Sequence, residues 1–522
     1  MLLLWFHPNT EGNPFAWADT LGGKGTSHGN SIAVDGNDNL YVCGQTDGVF
    51  RAGNININGK NNFLIKYNAQ GMVLWAKSLP GLVCKCVAVD PNGNPCIAGY
   101  FFDTVIVSKY TLISVGLNDF FAMKFDSLGN ILWANSGGGS GNDIALAIAC
   151  DVDGNTNITG SFEDYMDFGP NNSLLSLGKG DMFVAQYDSL GNFYWATGGG
   201  SNGEDAGTAI GADLTGNVFV TGFFNSTATF QNGSIASTGG MNMFIAKYNP
   251  YGFQQYIQPV NCNTDIVPNG IGLDGSGNVY ISGTFNGTAI FGNKTITSTR
   301  DDGFVAAYDN NLNINWLNKM GGPGNDAALG IVSDPESNIF VTGVFTGNSD
   351  FSGSNLTSEG NTDIFLAKYD AAGRLLWTER AGGGGADSAF SVCVDRNDIA
   401  SITGFIGANA DFGNIHLAVD SNGSFFIAQA KPDPSGIKVP VENAGLFDVY
   451  PNPSVGIFNI RETFSTDKEV SMTLTDMAGR IIGKGISNPH MMDLSSYPDG
   501  IYFLMIETVK GRYLEKLVKA GG

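Results

Sequence analysis

Five aspartates stand at matching places along this 522-residue chain, Asp143, Asp205, Asp265, Asp326 and Asp387, and all but Asp265 come just after a glycine-rich run. Carboxylates gathered on one face could hold Ca²⁺ or hydrogen-bond a sugar. The same residue in the same place can instead accept backbone N–H groups of its own turn, as Asx-turn residues do. Repetition at one place in most units favours the turn, because an asymmetric ligand has little use for five identical contacts. In the first unit the nearby residue is His28.

Other candidate chemistry is sparse. Asp151-Val-Asp-Gly-Asn-Thr-Asn157 opens like a calcium loop, yet has neither Gly at its sixth position nor Glu at its twelfth, and it reads as a turn. Ca²⁺ on the loop acids is thus the one cofactor to consider, and no metal ligand is nominated. The four histidines, His7, His28, His416 and His490, stand in no metal or triad spacing. No nucleophile elbow, zinc-protease motif or phosphate-cradling loop occurs. A glycosidase needs only two carboxylates, which separate loops could supply, but nothing singles out a pair. No catalytic residue is therefore nominated.

Seven cysteines are present, Cys43, Cys84, Cys86, Cys96, Cys150, Cys262 and Cys393. All but Cys262 fall in expected strands, where Cys acts as a small buried apolar residue. Cys84-Lys-Cys86 with Cys96 lacks the two paired elements of a zinc site.

These residues are positioned by a repeat. A Phe-bearing apolar run recurs at Phe63, Phe121, Phe183, Phe244, Phe304, Phe365 and Phe426. A Gly closing another run recurs at Gly44, Gly99, Gly160, Gly222, Gly283, Gly343 and Gly404. Each unit of about 60 residues reads as four strands: a small-residue run, a tight turn, the Gly-ended run, a variable connection, the Phe run, and a Trp-bearing run. Several Phe runs, such as Met243-Phe-Ile-Ala-Lys-Tyr248, are apolar on both alternating faces and call for burial between two other sheets. Radial four-stranded blades provide that. The Trp17 run at the start has no Phe partner, and the Phe426 run at the end has no Trp partner. The two orphans complement each other and predict closure. The expected fold is all-β: a seven-bladed β-propeller over 14–432, closed by N- and C-terminal strands.

Asp213-Leu-Thr-Gly-Asn217 and Phe365-Leu-Ala-Lys-Tyr-Asp370 carry a resemblance to the SBBP-type β-propeller repeat. That resemblance covers residues 14–430 and implies the propeller fold. It implies no ligand, because such repeats are defined by packing and turn residues.

Residues 433–446 are Pro-bearing and read as a linker. Beyond it, 447–522 hold 8 basic and 9 acidic residues, so of the chain's net −22 the preceding part carries −21. Alternating runs at 470–475, 480–483, 500–507 and 513–518 predict a small β-sandwich. Tyr450-Pro451-Asn452-Pro453 with Gly456, Gly479 within Asp476-Met-Ala-Gly-Arg480, and Gly500-Ile-Tyr502 resemble the type A C-terminal sorting domain of the Bacteroidetes type nine (Por) secretion system. The resemblance implies export across the outer membrane, with the secretion machinery as partner and a secreted or surface location. Met1-Leu-Leu-Leu-Trp-Phe6 is too short for a signal core, so 1–13 reads as a remnant or the end of an export signal.

The acidic charge argues against nucleic acid and anionic lipid, and no apolar run is long enough to span a bilayer. The expected function is a non-enzymatic binding or adhesion propeller for an extracellular protein or glycan. The alternative is a secreted carbohydrate-active hydrolase or lyase using the loop-bearing face.

Overall fold

A computed structural model describes residues 13–21, 23–52, 55–57, 61–169, 172–419, 423–431, 447–462, 471–476, 481–484, 491–508 and 511–520. The expected remnant before residue 13, the linker 433–446 and Gly479 lie outside these. The chain divides into two compact units, Met1–Pro434 and Ser435–Gly522.

The first unit contains seven antiparallel blades of four strands each. The third blade is representative: Ile144–Cys150, Thr156–Phe162, Asp181–Tyr187 and Phe193–Gly199 pair in that order. The seventh is built from both chain ends. Asp387–Val394, Ala400–Ile406 and Ser424–Ala430 are completed by Phe15–Asp19, whose Trp17 pairs Gln429 and whose Asp19 pairs Ile427. The two orphan runs thus close the ring.

Aromatic and β-branched runs punctuated by Gly, Asn and Asp favour these short strands. The tight turns are Asx-stapled: in Asp213–Asn217 the Asp213 carboxylate accepts from the N–H groups of Thr215 and Asn217 at 2.8 and 2.9 Å. The core lies between blades. At one seam Tyr41, Cys43 and Leu64 of the first blade pack on Ile97, Phe121 and Met123 of the second. At the closing seam Phe425 and Ile427 meet Val42 and Ile65. This is why every residue of strands such as Asp119–Phe125 and Asp363–Tyr369 is buried.

The recurrent Gly has a steric cause. A Cβ on Gly222 would sit 1.9 Å from the Ala206 carbonyl oxygen and 2.7 Å from the Phe244 ring. The first strand of the blade bulges there, with its register shifting between Gly207 and Ala209. The recurrent Trp clamps the next blade: Trp75 donates to the Ser127 carbonyl at 3.0 Å, Trp195 to Pro250 at 3.1 Å and Trp316 to Ala371 at 2.9 Å.

The variable connection holds more structure than its sequence shows. It carries a two-stranded hairpin, as at Thr104–Val107 with Tyr110–Ile113 and Thr227–Phe230 with Gly233–Ala236. Its Phe seats on the Phe of the third strand, with ring centroids 5.1 Å apart for Phe230 and Phe244 and 4.7 Å for Phe351 and Phe365. In the fifth blade the hairpin merges with the blade strands as Val279–Phe291 and Lys294–Tyr308.

The second unit is a β-sandwich. One sheet orders Phe447–Tyr450, Ile457–Glu462 and Met491–Asp493; the other orders Ile481–Lys484, Ser471–Asp476, Gly500–Thr508 and Gly511–Lys519. Phe458, Ile460, Leu474, Leu494, Leu504 and Leu517 fill the space between them.

Candidate functional site: the loop face and the sorting module

The loops that enter the blades and the hairpins share one end of the propeller. Asp143, Asp205, Asp326 and Asp387 all lie there, buried. Each straddles its own loop and the end of the second strand. Asp143 accepts from Gly139 N–H at 2.7 Å and Glu163 N–H at 3.3 Å. Asp205 accepts from Ser201 N–H at 2.6 Å and Asn225 N–H at 2.8 Å. Asp326 takes Gly322 and Thr346 N–H, both at 2.8 Å, and Asp387 takes Gly383 at 2.8 Å and Gly407 at 2.9 Å. Asp265 departs from the set. It is exposed, and its carboxylate instead accepts from Met241 N–H at 2.8 Å. The strand before it, Gln254–Cys262, runs two residues longer than Phe193–Gly199 of the third blade. His28 stacks on Phe405 of the seventh blade with centroids 4.5 Å apart, and burial lowers its pKa.

A second row of acids faces the first. Asp119, Asp181 and Asp363 open the third strands, Asp302 holds the same place within the merged strand Lys294–Tyr308, and all four are buried. Gly382 sits between one such pair, where a Cβ would lie 3.0 Å from both an Asp363 and an Asp387 carboxyl oxygen. Burial is the larger cause that pushes Asp143 up to about 7, with the charge of Asp119 adding to it against the Gly139 N–H. Burial likewise raises Asp181 and Asp387 to about 6. In the fifth and sixth blades a cation joins the pair. Lys319 lies 2.5 Å from Asp302, and Arg380 lies 2.7 Å from Asp363. The cross-strand places that hold Lys319 and Arg380 hold Ser136 and Gly198 in the second and third blades. Sequence reasoning passed over this second row, although each member stands two residues before its recurrent Phe.

At the turn side, Asp334, Glu336 and Asp398 bring carboxylate oxygens within 4.8 Å of one another and could hold a metal ion. Lys368 shares that space, 3.9 Å from Asp334 and in contact with Asp398. Burial, aided by Asp334, raises Asp398 to about 7 against that cation. The triad joins turns of two blades some sixty residues apart, and no local motif announces it. The seven cysteines are free thiols, six buried and Cys150 half-buried.

One surface breaks the repeat. Ile113-Ser-Val115-Gly-Leu117 and Leu175-Ser-Leu177 follow the hairpins of the second and third blades, and their aliphatic side chains are 59–77% exposed. The aligned stretches in the fourth and sixth blades are Ala236-Ser-Thr238 and Thr357-Ser-Glu359. Ile106 extends the patch. The segment 138–142 lies between the two hairpins, bridged to Asn118 on one side and Asp167 on the other.

In the sorting module, Tyr450, Pro451, Asn452, Pro453 and Gly456 form the turn between its first two strands. That turn clasps the end of the last strand. Asn452 accepts from Val518 N–H at 2.9 Å, Ser454 N–H donates to the Val518 carbonyl at 2.9 Å, and Ala520 N–H donates to the Ser454 carbonyl at 3.0 Å. Gly500 begins its strand, and Tyr502 is buried with its hydroxyl 2.6 Å from the Pro498 carbonyl. Among the described residues no helix is long and apolar enough to cross a membrane.

Comparison with known proteins agrees with both units. Residues 17–51 match the family model of a β-propeller repeat, and residues 448–520 match that of the secretion system C-terminal sorting domain. An uncharacterized WD repeat-containing protein of Acanthamoeba polyphaga mimivirus is 23% identical over 449 residues, 75% of this chain and 30% of that protein. The chain thus spans less than a third of that relative's length. Among solved structures, the Dos1 propeller aligns at TM-score 0.38 and 8% identity, over 79% of this chain and 95% of its own. An oligosaccharide-bound ulvan lyase, described as a polysaccharide lyase, aligns at TM-score 0.40 and 12% identity, over 78% and 96%. The chain carries a β-propeller repeat and a secretion-system sorting tail, and that tail marks it for export by type nine secretion to the cell surface or the medium.

Proposed function

We propose that the propeller is a binding or adhesion module for an extracellular protein, and that the sorting module is a separate signal that delivers it. The carrying observation is the exposed aliphatic patch of the second and third blades. Scattered apolar residues are ordinary on a surface, but neighbouring hairpin exits that break a repeat with Ile, Val and Leu mark an interaction site. Aliphatic side chains suit a protein surface; a sugar ring is usually received on an aromatic face. The −21 of residues before 447 adds long-range attraction for a basic partner. The loop acids serve this face as staples: with their oxygens engaged by backbone N–H groups, they hold loops in place and leave ligand contact to the hairpin exits.

The test is an array of matrix proteins and glycans probed with the exported chain, alongside Val115→Asp and Leu177→Asp. Binding to a basic protein that both variants abolish, at unchanged melting temperature, is the expected result. Binding untouched by either variant refutes the patch. Depolymerisation of a glycan by the purified chain would turn the reading to the hydrolase or lyase.

A further inference from the structure

The sorting module is a signal, and a signal needs a surface that is read. Its first sheet has one face turned to the core, with Phe458 paired to Met492 and Val449 to Ile460. The other face is fixed by the same register. Tyr450, Asn459 and Met491 stand side by side across the three strands, and Ile457 stands beside Asp493. Tyr450 is 48% exposed, Ile457 45% and Met491 40%, and Val455 in the adjoining turn is 70% exposed. Three apolar side chains on one small face, with a fourth in the adjoining turn, are a costly display for a module of about 75 residues that has a core to fill.

We propose that this outward face, centred on Tyr450, Ile457 and Met491 and extended by Val455, is the surface the secretion machinery reads, received in an uncharged apolar groove of that partner. The inference rests on the sorting reading of the module. Two observations favour this occupant. The module carries net −1 against −21 for the residues before it, so long-range charge distinguishes cargo rather than tail. An apolar contact is indifferent to cargo charge and can serve any passenger. The Tyr-Pro-Asn-Pro turn also ties this face to the chain's last strand through Asn452 and Ser454. The turn beside this face is thus fixed by the second sheet of the module, which holds the face in one defined shape.

The test uses the full chain in a host that possesses this secretion system. Four forms are compared: the parent, I457S/M491S, I457L/M491L, and a chain lacking residues 447–522. Surface and periplasmic fractions are measured, together with protease resistance of the tail in purified protein. The serine pair is expected to lower the exported fraction by about tenfold or more, and the leucine pair to export as the parent does. Parental export of I457S/M491S, with none of the tail-less chain, overturns the face and leaves the sorting reading standing. Export of the tail-less chain overturns the sorting reading itself. Loss of export with a tail newly sensitive to protease assigns the effect to folding and also overturns the recognition role.

Discussion

Closure of the ring by Phe15–Asp19 makes a demanding prediction. Phe15 is 1% exposed and meets the Phe412 ring edge-on at 5.3 Å. Trp17 donates to Gln429 at 2.9 Å and to the Ala69 carbonyl at 3.3 Å, tying the seventh blade to the first. Truncating a buried Phe to Ala costs about 3–5 kcal/mol, from lost transfer energy and the cavity left behind. A unit of roughly 420 residues has an unfolding entropy near 0.9 kcal/mol/K, so 4 kcal/mol corresponds to a fall of about 4–5 °C in melting temperature. Phe15→Ala is expected to show that fall, whereas Phe102→Ala, at a residue 57% exposed, stays within about 1 °C. Deleting residues 1–21 goes further. It strips the outer partner from Ser424–Ala430, every residue of which is buried in the closed ring, and leaves an apolar strand edge open to self-pairing. Light scattering after size-exclusion chromatography should find oligomers. A monomeric truncation with the parental melting temperature would show that the N-terminal strand does not hold the ring shut.

Three further outcomes are expected. Asp143 at about 7 and Asp181 and Asp387 at about 6 have pKa values raised by folding, so their protonated forms favour the folded state. Such stabilisation is full below about pH 4 and is lost as pH rises through 6 to 7. Moving one carboxyl from 3.8 to about 7 nominally represents about 4 kcal/mol, which solvent screening at a loop face reduces to roughly 1–2 kcal/mol. Melting followed from pH 5 to pH 8 should therefore decline by a few degrees, and less so in Asp143→Asn; a rise across that range contradicts the assignment. Lys368→Gln removes the cation beside Asp334 and Asp398, so millimolar Ca²⁺ should raise the melting temperature of this variant and leave the parent unchanged. The acidic chain should bind neither DNA nor anionic vesicles at physiological salt, as a sedimentation assay would show.

The propeller was legible because its core lies between identical blades. Every seam needs the same Phe and the same Gly opposite a bulge, and so both recur at a fixed spacing. The ends were legible for the same reason, since Trp17 and Phe426 are fragments of one repeat. The hairpins were hidden because their strands are three or four residues long, too short for an alternation to register. The loop acids were visible as residues, but their partners were not. Asp119 and Asp363 open strands that look merely apolar, and their facing of Asp143 and Asp387 arises only when neighbouring blades pack.

A repeat shows its function where it departs from itself. Residues that hold a propeller together must recur, so a recurring acid such as Asp205 is bound to the frame, and its oxygens are indeed spent on Ser201 and Asn225. A ligand breaks the ring's symmetry and must be met by residues that do not recur. The aligned hairpin exits read Val115, Leu177, Thr238 and Glu359, and only the first two turn exposed aliphatic carbon to solvent. That substitution costs the fold nothing, because these exits lie outside every seam, and it costs solubility something. Exchanging the second-blade hairpin exit for the sixth-blade sequence, Ile113→Thr with Val115→Glu, should leave the melting temperature within about 1 °C while removing partner binding. If binding survives the exchange, recognition resides in the shared frame after all, and the recurring acids return as its candidates.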